Sequence, residues 1–222
     1  MSELDLNIEL LSDTLVGSGE GWGVTIDSDI VFDKYGLPYI PAKRIKGCLR
    51  ESALEVLEMF EQAKIDFASE EEFDTLFGKV GQAESGVLSF SNAYIENYDS
   101  NKQWVKWLED KHKSIFSKDS VLNTFTSIRR QTAIEKSGVK KNNSLRTSRV
   151  LNRGLKFFAR IEKPDEIESR KLDFLFFAAR NLRHIGTNRN RGFGLISCSL
   201  SNIQGLDYGK CLVNLQTAIE EV

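Results

Sequence analysis

The chain has 222 residues, 41% hydrophobic and 28% charged, with a formal net charge of -2, enough to bury a sizeable core in one elaborated domain or a domain carrying a large insertion. No apolar run approaches the roughly 20 residues a bilayer-crossing helix needs, and the opening MSELDLNIELL is acidic where a secretory signal would be basic, so a cytoplasmic protein with no membrane partner is expected. Cys48, Cys198 and Cys211 are odd in number and far apart in apolar contexts. They suggest neither a disulfide framework nor a zinc knuckle, but core thiols.

Leu4, Leu6, Ile8 and Leu10 alternate with polar residues, which predicts a half-buried first strand. Gly17, Gly19, Gly21 and Gly23 then surround Trp22 in a predicted flexible loop. From Met1 to Asp33 the chain has no lysine or arginine, while Glu3, Asp5, Glu9, Asp13, Glu20, Asp27, Asp29 and Asp33 are all acidic. This acidic stretch leads through Gly36, Pro38 and Pro41 directly into Lys43, Arg44, Lys46 and Arg50. Beside those cations, Ile45, Cys48, Leu49, Ala53, Val56, Leu57 and Phe60 recur at three- and four-residue spacing, predicting an amphipathic helix over about 44–64. A helix start with unpaired N–H groups and flanking cations attracts phosphate. The plainer alternative is a solvated helix start beside an acidic loop.

Phe73, Leu76 and Phe77 form a short apolar cluster before Gly78, and GVLSFSNAYI over 86–95 predicts a second strand. Residues 96–120, with Trp104, Trp107 and many charges, suggest a peripheral insertion of mixed structure. Between Arg129 and Lys156 the charge inverts: Arg129, Arg130, Lys136, Lys140, Lys141, Arg146, Arg149, Arg153 and Lys156 face one acid, Glu135. Such asymmetry suggests a polyanion-binding face, and lets like subunits stack acidic side to basic side. Within it, SIRRQTAIEKSGVKKNNSLRTSRV over 127–150 has two β-compatible arms about a glycine and asparagine turn, which predicts a projecting basic hairpin. A basic loop that orders on binding is the other reading, and both favour an anionic partner.

Leu155, Phe157, Ala159 and Ile161 alternate as a further strand ended by Pro164, and a helix is predicted over 165–183. GTNRNRGFG follows over 186–194. Its glycines permit close backbone approach and positive φ, and Arg189 and Arg191 offer phosphate-gripping forks. Leu195 to Leu200 predicts the last strand and 207–222 a packing helix. Strand, helix, strand, then strand, helix, strand is the order of a ferredoxin-like or RRM-like α+β unit, an antiparallel sheet with two helices on one face.

DSDIVFDKYGLPYIPAKRIKGCLRESAL over 27–54 resembles the amino-terminal signature of the RAMP superfamily of CRISPR-associated proteins, where an acidic loop precedes a PYIPGSSLKG-type element. RNRGFG resembles the glycine-rich loop of the same superfamily, and the order of features between them is similar to the backbone subunits of type III CRISPR effector complexes. The resemblance implies a modified RRM palm, here a single unit over 1–222, with an insertion near 96–120 and a β-hairpin thumb near 127–150. It implies copies assembled head to tail along a guide CRISPR RNA with other effector subunits, and cleavage of complementary target RNA supported by an aspartate and a divalent metal, Mg2+ or Mn2+. Asp27 matches that aspartate, as both catalytic residue and metal ligand. The implied RNA-binding set is Lys43, Arg44, Lys46, Arg50, Arg129, Arg130, Thr132, Arg146, Arg149, Gly186, Arg189, Arg191, Gly192 and Gly194. Lys46 and Gly47 match the family's Lys-Gly pair. Ala42, Lys43 and Arg44 depart from its Gly-Ser-Ser, and Asp29 stands where proline is frequent.

Physically, RNA supplies its own 2′-hydroxyl nucleophile, so a protein that holds the backbone in line has done much of the work. A carboxylate can add a hydrated divalent ion. Three alternatives stand beside this reading: a non-cleaving structural subunit, a guide-processing endoribonuclease, and a generic single-strand RNA binder. The only histidines, His112 and His184, lie in the charged insertion and at a helix end, which disfavours a histidine-based mechanism.

Overall fold

The computed structural model describes residues 2–17, 26–79, 86–112, 116–133, 138, 144–201 and 208–220. The glycines and tryptophan of the 18–25 segment and most of the predicted hairpin turn lie outside the described residues. Strand β1 (Ser2–Leu10) occupies the middle of an antiparallel sheet, paired on one side with β7 (Lys156–Lys163) and on the other with β8 (Ile196–Ser201). Beyond β7 lie β4 (Ala93–Ile95) and then β2 (Tyr39–Ile40), with β3 (Ser89–Phe90) also on the β7 edge. This is ferredoxin-like order: the first strand is flanked by the third and last strands of the basic unit, and the second, split into β3 and β4, lies beyond the third, with β2 added at the edge.

Period-two patterning sets the register. Leu4, Leu6, Ile8 and Leu10 of β1 turn to the same core as Phe157, Ala159 and Ile161 of β7 and Ile196, Cys198 and Leu200 of β8. Two helices complete that core: α1 (Ala42–Ala63), whose buried stripe is the one legible in the sequence, and α5 (Ser169–Asn181). Ser52 Oγ donates to the Ala178 carbonyl at 2.8 Å and accepts from Asn181 Nδ2 at 3.1 Å, so polar bonds pin the two helices where they touch. The last helix, α6 (Tyr208–Glu220), is anchored on α5 through buried Asp173, which accepts from Asn214 Nδ2 at 2.7 Å and Cys211 Sγ at 3.1 Å. All three cysteines are buried free thiols, and burial pushes Cys198 up to about 12, so it stays neutral at physiological pH.

The expected strand over 86–95 is split into β3 and β4. Ser91 is the cause: its N–H donates to Arg160 O at 2.9 Å, while its hydroxyl, in place of a backbone carbonyl, accepts from Arg160 N–H at 2.8 Å. The next residue is used elsewhere, since Asn92 Oδ1 caps Ala42 N–H at the start of α1.

The Phe73 cluster belongs to α2 (Glu70–Phe77), opened by a capping box between Ser69 and Glu72. The insertion contains α3 (Tyr98–Lys111) and α4 (Lys118–Phe125). With the acidic-loop turn it builds a second small core of Tyr35, Leu37 and Val105 against Tyr98, Phe116, Val121 and Phe125. Tyr98 donates its hydroxyl to Asp33 Oδ2 at 2.9 Å, while Asp33 Oδ1 accepts from the N–H groups of Tyr35 and Leu37. Burial, then this bond to a carboxylate, pushes the Tyr98 phenol upward. The insertion thus clamps the turn after the acidic loop.

The projecting hairpin is β5 (Thr126–Gln131) with β6 (Arg146–Leu151), a two-stranded sheet separate from the palm, in register from Thr126 opposite Leu151 to Gln131 opposite Arg146. Thr126, Val150 and Leu151 are buried at its base, and Arg129, Arg130 and Arg146 are exposed along it. No helix among the described residues is long and apolar enough to cross a membrane. Because Phe157 is fully buried where sheet and helices meet, Phe157→Ala is expected to cost about 3–5 kcal/mol, measurable by denaturant unfolding.

Candidate nucleic-acid interface

The acidic loop is built into the hairpin. Thr147, Arg149 and Leu151 turn their backbone groups to the edge of β6 away from β5. There Asp27 N–H donates to Thr147 O at 2.9 Å, Arg149 N–H to Ser28 O at 3.0 Å and Leu151 N–H to Thr14 O at 2.8 Å. Ser28 and Ser148 form a parallel bridge. The loop is therefore a short extra strand along the hairpin.

Its three aspartates have different duties. Asp33 shapes the following turn. Asp29 is 1% exposed, and its Oδ2 accepts from Arg149 Nη1 at 3.0 Å, with the Arg149 side chain 11% exposed. Asp29 Oδ1 accepts from the N–H of Ile30 at 2.8 Å. Asp27 is exposed; one oxygen, Oδ2, accepts Thr147 N–H at 2.6 Å, and Oδ1 has no partner among the described residues.

The expected RNA-binding residues divide similarly. The guanidinium of Arg149, expected to bind RNA, pairs with buried Asp29. Arg50 lies over the Phe73 ring at 4.8 Å, and Arg189 donates to Glu51 at 3.1 Å and to Gly186 O at 3.1 Å. Arg44 Nη2 donates to Gly17 O at 3.2 Å. These cations tie elements together. Lys43, Lys46, Arg130, Arg146 and Arg191 have no ion-pair partner among the described residues, and Thr132 is exposed just beyond β5. Lys43 and Lys46 line a separate hollow of about 330 Å³ with residues 86–90.

The glycine-rich loop turns through a short 3-10 segment, Arg189–Arg191. Gly186 (φ +88°) and Gly194 (φ +77°) are required by the protein itself, since a Cβ would overlap the carbonyl oxygens of Leu15 and Ile185 respectively. Gly192 (φ +79°) opens on empty space. Between this loop and the hairpin lies an open cleft of about 730 Å³, lined by Asp13, Arg129, Gln131, Arg153, Arg191 and Phe193, with Gly192 beside them. The structure thus brings together the hairpin base and the glycine-rich loop. Asp13 and Arg153 complete the cleft without any motif to signal them, while Phe193 lies within the RNRGFG loop. Asp13 and Arg153 counted only toward charge.

A ferredoxin-like palm, an inserted cationic hairpin and a glycine-rich loop facing it define the class. The model of the RAMP superfamily matches residues 7–197, and the chain belongs to that superfamily. A chain of the type III-B Cmr-beta assembly bound to cognate target RNA, solved by cryo-EM, has the same fold with a TM-score of 0.63, at 14% identity over 90% of this chain and 97% of that one. A chain of the apo state of type III-B Cmr-beta aligns with the same values. No curated protein matches.

Removing one member of the buried ion pair strands the other. Asp29→Ala is expected to cost about 3–5 kcal/mol and to lower the thermal midpoint, read by calorimetry. Gly194→Ala meets both positive φ and overlap and should cost more than about 1–3 kcal/mol, whereas Gly192→Ala should cost only about 1–2 kcal/mol, with denaturant midpoints separating the two.

Proposed function

We propose that this chain is an RNA-binding backbone subunit of a type III CRISPR effector complex, laid along a guide CRISPR RNA beside further copies of itself and other effector subunits, and that it cuts complementary target RNA with Asp27. The observation that carries the binding half is the cleft between hairpin and glycine-rich loop, where Arg129, Arg153 and Arg191 meet beside the open Gly192. Planar guanidinium groups suit phosphodiester oxygens, and a glycine with room above it lets a sugar-phosphate chain come close to the backbone. Base pairing would then read sequence while the protein reads backbone and shape. The Cmr-beta chain that shares the fold comes from an assembly bound to cognate target RNA, which supports the same partner here.

Asp27 is the acidic-loop carboxylate whose exposure suits work on a ligand, since Asp29 and Asp33 are occupied within the protein. Among the described residues no group of three ligating side chains could hold a metal by itself. Mg2+ and Mn2+ nevertheless fit in a limited way, because a hydrated ion of this kind takes only one or two protein carboxylates alongside substrate phosphates. Asp27 Oδ1 is the oxygen that would hold it, and the ion would neutralise charge developing on the phosphate. The backbone bonds of Asp27 and Ser28 to β6 keep the hairpin fixed against the loop that carries Asp27.

One observation favours a non-cleaving subunit: Asp27 Oδ2 already caps Thr147 N–H, a duty a purely structural aspartate could have. In a complex reconstituted with guide RNA and Mn2+, Asp27→Ala is expected to leave target binding within about twofold while slowing cleavage about a hundredfold or more. Unchanged cleavage would remove Asp27 from the chemistry. An unmodified complex that binds target without cutting it would establish the structural role.

A further inference from the structure

Residues 11–17 run as a strap between the hairpin and the glycine-rich loop, bonded to both. Thr14 exchanges backbone bonds with Leu151 at 2.9 and 2.8 Å. On the other side Leu15 O accepts Thr187 N–H at 3.0 Å, and Asp13 O accepts Gly194 N–H at 3.0 Å.

The Asp13 side chain, 16% exposed, adds a charged connection to this strap. Oδ2 accepts from both Nε and Nη2 of Arg129, and Oδ1 accepts from the N–H of Arg153 at 3.3 Å. One carboxylate therefore holds a side chain on β5 and the turn after β6, while its own carbonyl holds the glycine-rich loop. A guanidinium is a rigid plane with five donors, so bonding the Nε–Nη2 edge fixes the plane and leaves the Nη1 side for another acceptor. The Arg129 side chain remains 55% exposed and lines the cleft with Arg153, Arg191 and Phe193.

We propose that Asp13 is a positioning residue for RNA: it turns the unbonded edge of Arg129 into the cleft, where that edge meets one phosphodiester. The inference rests on the RNA-binding reading above. It makes a prediction of unusual sign. Removing a carboxylate from beside a polyanion strengthens binding by Coulomb attraction alone, whereas loss of a positioning group weakens it.

The test is a double-mutant cycle on the full chain, with Asp13→Asn, Arg129→Ala and the pair, titrated against a fluorescein-labelled oligouridylate over a range of salt concentrations. Asn keeps the shape and a carbonyl acceptor at position 13. Asp13→Asn is expected to bind roughly fivefold more weakly, with no further loss in the Arg129→Ala background. The slope of log affinity against log salt should become shallower by about 0.7, the value of one lost phosphate contact on a single strand. Tighter or unchanged binding by Asp13→Asn, or losses that simply add in the double variant, overturns the role of Asp13 and leaves RNA binding intact. An unmodified chain without affinity for the oligonucleotide overturns the RNA-binding reading and this inference with it.

Discussion

The buried pair between Asp29 and Arg149 is the joint on which the hairpin and acidic loop depend. A carboxylate removed from water is tolerable only with a close opposite charge and satisfied hydrogen bonds, and Asp29 has both. With the backbone bonds of Asp27 and Ser28 to β6, the pair makes the loop and the second arm of the hairpin one unit. Asp27 then has little freedom of its own: its position is that of Thr147, and it stays at the hairpin wherever the hairpin points.

From that joint the remaining charges fall into two populations. Arg50, Arg149 and Arg189 join elements of the protein, and Arg44 reaches back to Gly17, which bridges Ile30. Arg130, Arg146, Arg153 and Arg191 present their side chains to solvent around the hairpin and cleft. Arg129 belongs to both groups, bonded along one edge and open along the other. The glycines divide by the same logic. Gly186 and Gly194 let backbone pack on backbone, and Gly192 leaves space at the cleft. A basic or glycine-rich stretch is thus partly framework and partly surface, in proportions that its composition does not reveal.

The insertion also has a larger part than a peripheral one. Its helices supply half of a second core, and Tyr98 bonds the aspartate that shapes the acidic-loop turn. Loop, insertion and hairpin therefore brace each other on one side of the palm, while α1, α5 and α6 supply the main core behind it.

Elements with strong periodicity were legible from residues alone, because burial of one face is a local property of spacing: β1, α1, β7, α5 and β8 all lie close to where their apolar patterns place them. The hairpin was legible from its charge and its two β-compatible arms, and the glycine-rich loop from its composition. The split of the 86–95 strand was not, since it depends on the Ser91 hydroxyl meeting Arg160 from a distant strand. What the sequence determined by itself was the order of the ferredoxin-like unit and which segments carry charge. Which charges cancel was set by folding: Asp29 meets Arg149 across 120 positions and Asp13 meets Arg129 across 116, and no local pattern encodes pairings made by bringing distant segments together.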